Sequence, residues 1–165
     1  MKIIQKASLP QNSIVHKVFP NIHYLDSFQL KVPDNCKVET FTSVFLVSNP
    51  SWVFKLMSIR NGIVKFFGLK TPPKRRQTNT KIEVGKHVGI FKVYDTNHNE
   101  ILLGEDDKHL NFRVSIYKEP SNQWISVSTV VHFNNLLGRF YFFAIKPFHK
   151  LIVPAILRET VNKLS

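Results

Sequence analysis

Carboxylates, an imidazole, an amide and a guanidinium crowd into the stretch Glu105-Asp106-Asp107-Lys108-His109-Leu110-Asn111-Phe112-Arg113. Carboxylates and imidazoles bind metals or exchange protons with a substrate, and a guanidinium holds a carboxylate or phosphate through two parallel hydrogen bonds. Asp106, His109, Asn111 and Arg113 are therefore the candidate polar residues of a ligand site at a cavity mouth. Asp106, His109 and Arg113 are the set on which an enzyme would draw. A plainer reading competes with both. Asp106-Asp107-Lys108-His109 has the composition of a hairpin turn whose aspartates accept turn amides, and Arg113 can pair with Asp107, Glu105 or another carboxylate across a sheet. Adjacent aspartates point apart, and a transition-metal site would need a second histidine, His132 or His87, from elsewhere. The pattern assigns no metal ligand, no catalytic residue and no cofactor.

Two further polar groups invite chemistry and do not complete it. Ser126 and Ser128 share a strand face with His132 by alternation. A hydrolase would also need an orienting carboxylate and an oxyanion hole, and no Gly-x-Ser-x-Gly turn occurs. His149, in Lys146-Pro147-Phe148-His149-Lys150, is assigned to the polar side of the last helix, and nothing around it demands chemistry.

These residues need a frame, and the hydrophobic pattern supplies one. Alternation over Ile22–Val32, with Tyr24, Phe28, Leu30 and Val32 on one side, predicts a first strand. Thr40 or Thr42 starts a short helix through Val47, and Asn49-Pro50 starts a second on which Val53, Leu56, Ile59, Ile63 and Phe66 form a stripe. Gly68 ends that helix, and a Pro-rich basic loop follows over residues 69–86. From there the period is two, predicting strands over Gly89–Tyr94, Glu100–Glu105, Leu110–Tyr117 and Gln123–Phe133, joined by short hairpin turns. Asn134 or Asn135 then caps a final helix of about 25 residues that Pro147 and Pro154 interrupt. Its predicted inward stripe is Leu137, Phe140, Tyr141, Ala144, Phe148, Leu151, Ile152 and Ala155. The expected fold is α+β: a curved antiparallel sheet wrapping a long C-terminal helix in the helix-grip manner, with two short helices after the first strand. Residues 1–165 read as a single domain with an irregular N-terminal segment over residues 1–20.

Four stretches carry a family resemblance. Leu103-Gly104-Glu105-Asp106-Asp107-Lys108-His109-Leu110-Asn111-Phe112-Arg113-Val114-Ser115 resembles the signature of domain of unknown function 2867. Thr129 to Arg139 and Pro147 to Val153 are similar to its closing motifs, and Trp52 to Lys70 to its middle helix. The resemblance covers about Tyr24 to Leu157 and implies a fold of the START or Bet v 1 type, ligand-binding in other proteins, with no established activity. Some relatives carry the domain after a dinucleotide-binding domain. No strand with a glycine-rich phosphate loop precedes it here, so nicotinamide chemistry does not carry over.

Composition narrows the classes left open. The chain has 165 residues, 43% of them hydrophobic, which is ample for a buried core. Cys36 is the lone cysteine and no secretory signal opens the chain, so a reducing, cytoplasmic setting is expected. The apolar region Leu136–Leu157 has spanning length but holds Arg139, Lys146, His149 and Lys150, which argues against a transmembrane segment. A net charge of +12 attracts polyanions. Attachment to an anionic membrane or partner through Lys70–Arg76, Lys81 and Lys86 is thus one reading. Nucleic acid ranks last, because the aromatics lack RNA-binding spacing. The leading expectation is an apolar or amphipathic small-molecule ligand between sheet and last helix, lined by Phe140, Tyr141, Phe148 and Ile152. Enzymatic use of the Asp106 region is the alternative, and no feature of the sequence sets an oligomeric state.

Overall fold

The structure is a computed structural model that describes residues 3–6, 8–48, 50–66 and 81–164. In chain order it contains β1 (Ile3–Lys6), a 3-10 turn (Ile14–Lys17), β2 (Tyr24–Lys31), α1 (Val38–Val47) and α2 (Ser51–Phe66). There follow β3 (His87–Val88), β4 (Phe91–Asn97), β5 (Glu100–Asp106), β6 (Leu110–Lys118), β7 (Trp124–Phe133) and α3 (Leu136–Leu164). The seven strands make one antiparallel sheet in the order β1-β2-β7-β6-β5-β4-β3. The α+β expectation, with two helices after an early strand and a long C-terminal helix against the sheet, is what forms. The basic run Lys70–Arg76 and the Pro72-Pro73 connection lie outside the described residues.

Alternation decides which side chain serves which layer. The inner face, toward the helices, carries Phe28 and Leu30 of β2, Val93 of β4, Ile101 and Leu103 of β5, Ile116 of β6, and Ile125 and Val127 of β7. Phe41 and Phe45 of α1 and Val153, Leu157 and Val161 of α3 pack on it. On α1 the buried residues are Val38, Phe41, Thr42 and Phe45, one helical stripe, and the Thr42 hydroxyl is satisfied by the Val38 carbonyl at 2.7 Å. On α2, Val53 is buried and Ile59 is exposed, so the predicted stripe does not hold through Ile59.

The outer face is covered too, by a segment the sequence left irregular. Within the segment over residues 1–20 that reads as irregular, Ile3–Lys6 pair with β2, and residues 9–19 form a strap against Leu102 and Val130 through Leu9, Ile14, Val15, Val18 and Phe19. Glu100, fully buried there, accepts the Ser13 hydroxyl at 2.6 Å, the Ser115 hydroxyl at 2.5 Å and the Ile14 amide at 2.8 Å. Four-residue strands and single 3-10 turns fall below what periodicity resolves, and the strap is held by a long-range polar anchor rather than by its own pattern.

The phase of α3 is a second correction. Leu137, Phe140 and Leu151, assigned inward, are exposed, while Phe142 and Val153, not assigned inward, are buried along with Gly138, Tyr141 and Leu157. The amino-terminal half of α3 carries apolar residues on two opposite faces, with Arg139, Lys146 and Lys150 on a strip at their edge, so the cationic strip does not mark which apolar face meets the sheet.

Candidate functional site

Asp106 and Arg113 do come together. Arg113 donates to both carboxylate oxygens of Asp106, at 2.8 and 3.2 Å, and to the Phe112 carbonyl at 2.8 Å. Its guanidinium lies 3.4 Å from the centre of the Tyr94 ring and 5.1 Å from that of Phe19. Burial alone would raise the Asp106 carboxyl, but Arg113 and the Tyr94 hydroxyl hold it below its ordinary value. Burial and the same carboxylate push Tyr94 up to about 12. Arg113 crosses over Gly104, its register partner: a Cβ there would stand 2.2 Å from the Phe112 carbonyl oxygen and 2.9 Å from Arg113 Cδ. The guanidinium is thus buried, paired and stacked beneath the strap on the outer face, with its hydrogen-bonding fork already engaged.

His109 and Asn111 belong to a different junction, where the β5–β6 turn meets the start of α3. Asn134 donates its backbone amide to the His109 carbonyl at 2.9 Å and its side-chain amide to the Asp107 carbonyl at 2.7 Å. The Asn134 and Asn111 side chains meet at 3.1 Å. Asn135 caps α3 by accepting the Gly138 amide at 3.0 Å, donates to the Lys108 carbonyl at 3.1 Å, and lies beside the His109 ring. Gly138 packs directly on His109, where a Cβ would fall 1.9 Å from the carbonyl oxygen. The acidic signature and the Asn-Asn-Leu-Leu-Gly stretch therefore clamp the sheet to the helix. The hairpin-turn and capping readings describe the contacts these residues make.

The polar cluster beneath α3 is one that sequence reasoning missed. Asp26 occupies an inward position of β2, between Tyr24 and Phe28, and is 4% exposed. Its Oδ2 accepts the Tyr24 hydroxyl at 2.8 Å and lies 2.8 Å from His149 Nε2, which reaches down from α3. Thr129, opposite Asp26 in the sheet register, adds a further polar contact. Even so, neither Asp26 Oδ1 nor His149 Nε2 has a hydrogen bond of good geometry. Burial pulls the Asp26 carboxyl upward, yet His149, Tyr24 and Thr129 outweigh it and hold the group below its ordinary value; burial and the Asp26 charge raise Tyr24 strongly. His149 thus faces the sheet, not solvent as assigned, because the phase of α3 runs otherwise than its pattern indicated. The signal for Asp26 was present: a carboxylate at an inward position of an otherwise apolar alternation.

Around this cluster sits a packed aromatic group. Tyr24 meets Phe142 at 4.6 Å between ring centres and Phe133 meets Phe142 at 5.5 Å, with Leu110, Phe112, Val131, Tyr141 and Ile145 beside them. Of the predicted lining residues, Tyr141 joins this group, Phe148 and Ile152 are half-buried, and Phe140 points outward at 63% exposure. The sheet separates them from Arg113. Surface recesses of about 530 and 500 Å3 lie at Lys31, Asp34, Lys118 and residues 120–124, and along the strap; neither is between sheet and α3. Among the described residues no group of three or more His, Cys, Asp or Glu is placed to hold a metal ion. Ser128 hydrogen-bonds Ser27 at 2.8 Å and His132 the Asn21 carbonyl at 2.7 Å, so these two do not form a nucleophile–base pair.

A sheet clamped to a long helix, with a polar cluster buried where they meet, defines an α+β domain of helix-grip-like architecture. The chain belongs to the family described as protein of unknown function, DUF2867, which it matches over residues 18–156. No curated protein and no solved structure gives a significant match.

Proposed function

We propose that the domain binds an amphipathic small molecule between the sheet and α3, with Asp26 as its polar anchor. The observation that supports this is a carboxylate buried beneath α3 whose Oδ1 has no hydrogen bond of good geometry. A buried acceptor left unpaired costs about 1–3 kcal/mol, a cost that a ligand hydroxyl or amine would remove. Tyr24, Phe133, Tyr141 and Phe142 supply flat apolar surface for the rest of the molecule. Their rings touch, so a ligand enters by parting Tyr24 from Phe142. Native mass spectrometry of the purified chain, followed by organic extraction, tests the proposal. The expected result is a stoichiometric amphipathic compound on the wild type and its loss from Asp26→Asn; a bare mass for both refutes it.

A second reading rests on the 2.8 Å approach of Asp26 to His149. A carboxylate that orients an imidazole is the arrangement of a general base, which would take a proton from a substrate lying over Tyr24. This moves the enzymatic alternative from Asp106, His109 and Arg113 to His149, since the Arg113 guanidinium is already engaged. Turnover of a co-purified compound that His149→Gln abolishes, while binding persists, would select it.

A further inference from the structure

The amino-terminal half of α3 has two apolar faces, and only one is used. Gly138, Tyr141, Phe142 and Val153 are buried toward the sheet, while Leu136, Phe140, Phe143 and Leu151 stand 70%, 63%, 78% and 60% exposed. At about 100° per residue these four fall within one narrow stripe, opposite the buried face, together with the exposed Pro147. Exposed singly such residues are ordinary; aligned along four turns they form a patch that needs a partner. Its border is cationic: Arg139 and Lys150 are exposed along one edge and Arg158 continues the stripe. Between Glu119 and Glu159 the chain contains no acidic residue at all.

Charge decides among occupants. A second copy packing the same stripe antiparallel in a two-fold dimer would bring the two cationic edges together, Arg139 of one copy near Lys150 of the other, with no carboxylate on the stripe to pair them. An anionic bilayer offers what both groups need: an apolar layer for Phe140 and Phe143, and phosphates within reach of the cationic heads. The net charge of +12 draws the whole domain to such a surface. The helix is long and apolar enough to span, but its other face is committed to the sheet, so it lies in the interface plane.

We propose that the Leu136–Leu151 face of α3 docks the domain onto anionic phospholipid membranes, independently of any ligand beneath the helix. The test is co-sedimentation of the full chain with vesicles of phosphatidylcholine alone and of phosphatidylcholine with about 30% phosphatidylserine. Binding is expected to the anionic vesicles only and to fall as salt rises. Phe140→Ser with Phe143→Ser should lower the partition coefficient at least about tenfold, and Arg139→Glu or Lys150→Glu each about fivefold or more. All four positions are exposed, so melting curves should stay within those of the wild type. No binding to either vesicle overturns the proposal. So does binding that survives the double Phe substitution, which would assign it to another basic surface. Resistance to alkaline carbonate, or a dimer in sedimentation velocity that the same substitution dissolves, would give the stripe to a spanning helix or to a second copy and likewise overturn it.

Discussion

Gly138→Ala is the substitution whose sign is most diagnostic. In an ordinary exposed helix, replacing Gly by Ala stabilises by about 0.8–1 kcal/mol, through reduced backbone entropy loss. Gly138 lies in the first turn of α3, where an added Cβ would stand 1.9 Å from the His109 carbonyl oxygen and 2.7 Å from its carbon. Those are backbone atoms of the β5–β6 turn, with no flexible end to swing aside. Relief requires α3 to lift from the turn, and that stretches the Asn134 amide bond to the same carbonyl. Overpacking costs about 1–3 kcal/mol and a weakened hydrogen bond about 0.5–1.5, against a propensity gain near 1. The net expectation is about 1–3 kcal/mol of destabilisation, or a melting temperature lower by about 3–10 °C for a chain of this size. Urea denaturation read by circular dichroism measures it. Gly62→Ala in α2, where nothing lies within 4 Å of the new Cβ, serves as internal control and should stabilise by up to about 1 kcal/mol. If Gly138→Ala is neutral or moves the midpoint in the same direction as Gly62→Ala, the clamp reasoning fails.

Arg113→Lys should cost about 1–3 kcal/mol, because an ammonium cannot reproduce the two bonds to Asp106 or the stacking on Tyr94, and thermal melts would show whether it does. Glu100→Ala leaves the Ser13 and Ser115 hydroxyls and the Ile14 amide without their acceptor, so a loss of about 2–4 kcal/mol and faster proteolysis within residues 8–19 are expected. Acidification should expose Asp26: its folded carboxyl sits below the ordinary value near 3.8, so its contribution is present above that pH and is lost as pH falls through the folded value. Asp26→Asn should remove that part of the acid dependence, and urea midpoints from about pH 5 to pH 2 would reveal an unchanged slope if Asp26 were uncoupled from folding.

The meander was legible because β6 and β7 are long and alternate, and because Asn, Asp and Pro mark the turns; β4, whose register shifts between Val93 and Asp95, and β5, apolar on both faces at Ile101-Leu102-Leu103, were placed by those turns. Even the facing of Leu110, Phe112, Val114 and Ile116 follows from period two. What escaped did so for physical reasons. The strap is anchored by Glu100, a residue far from it in sequence, and no local pattern encodes a contact that spans 87 positions. α3 hid its inward side because it has two apolar faces, with the cations Arg139, Lys146 and Lys150 at the edge between them, which displaced both Phe140 and His149. The Asp106–Arg113 pairing was within reach of alternation, whereas its stacking between Phe19 and Tyr94 needed the strap in place. Asp26 was the avoidable loss: in Tyr24-Leu25-Asp26-Ser27-Phe28 the carboxylate falls on the apolar phase, and a charge there requires a partner.

The sheet order also bears on how the protein is made. β2 finds its neighbour in β7, and Ser27 reaches its partner Ser128 across 101 residues. During synthesis the hairpins from β4 to β7 can form as they emerge, but β1, β2 and the strap must wait with their apolar sides uncovered until β7 is out. α3 emerges after β7; it completes, with α1, the cover of the inner face and is the element that shields Asp26. A nascent chain that has released β7 from the ribosome while α3 is still inside it would therefore have its sheet paired but still open to chaperones where α3 will lie.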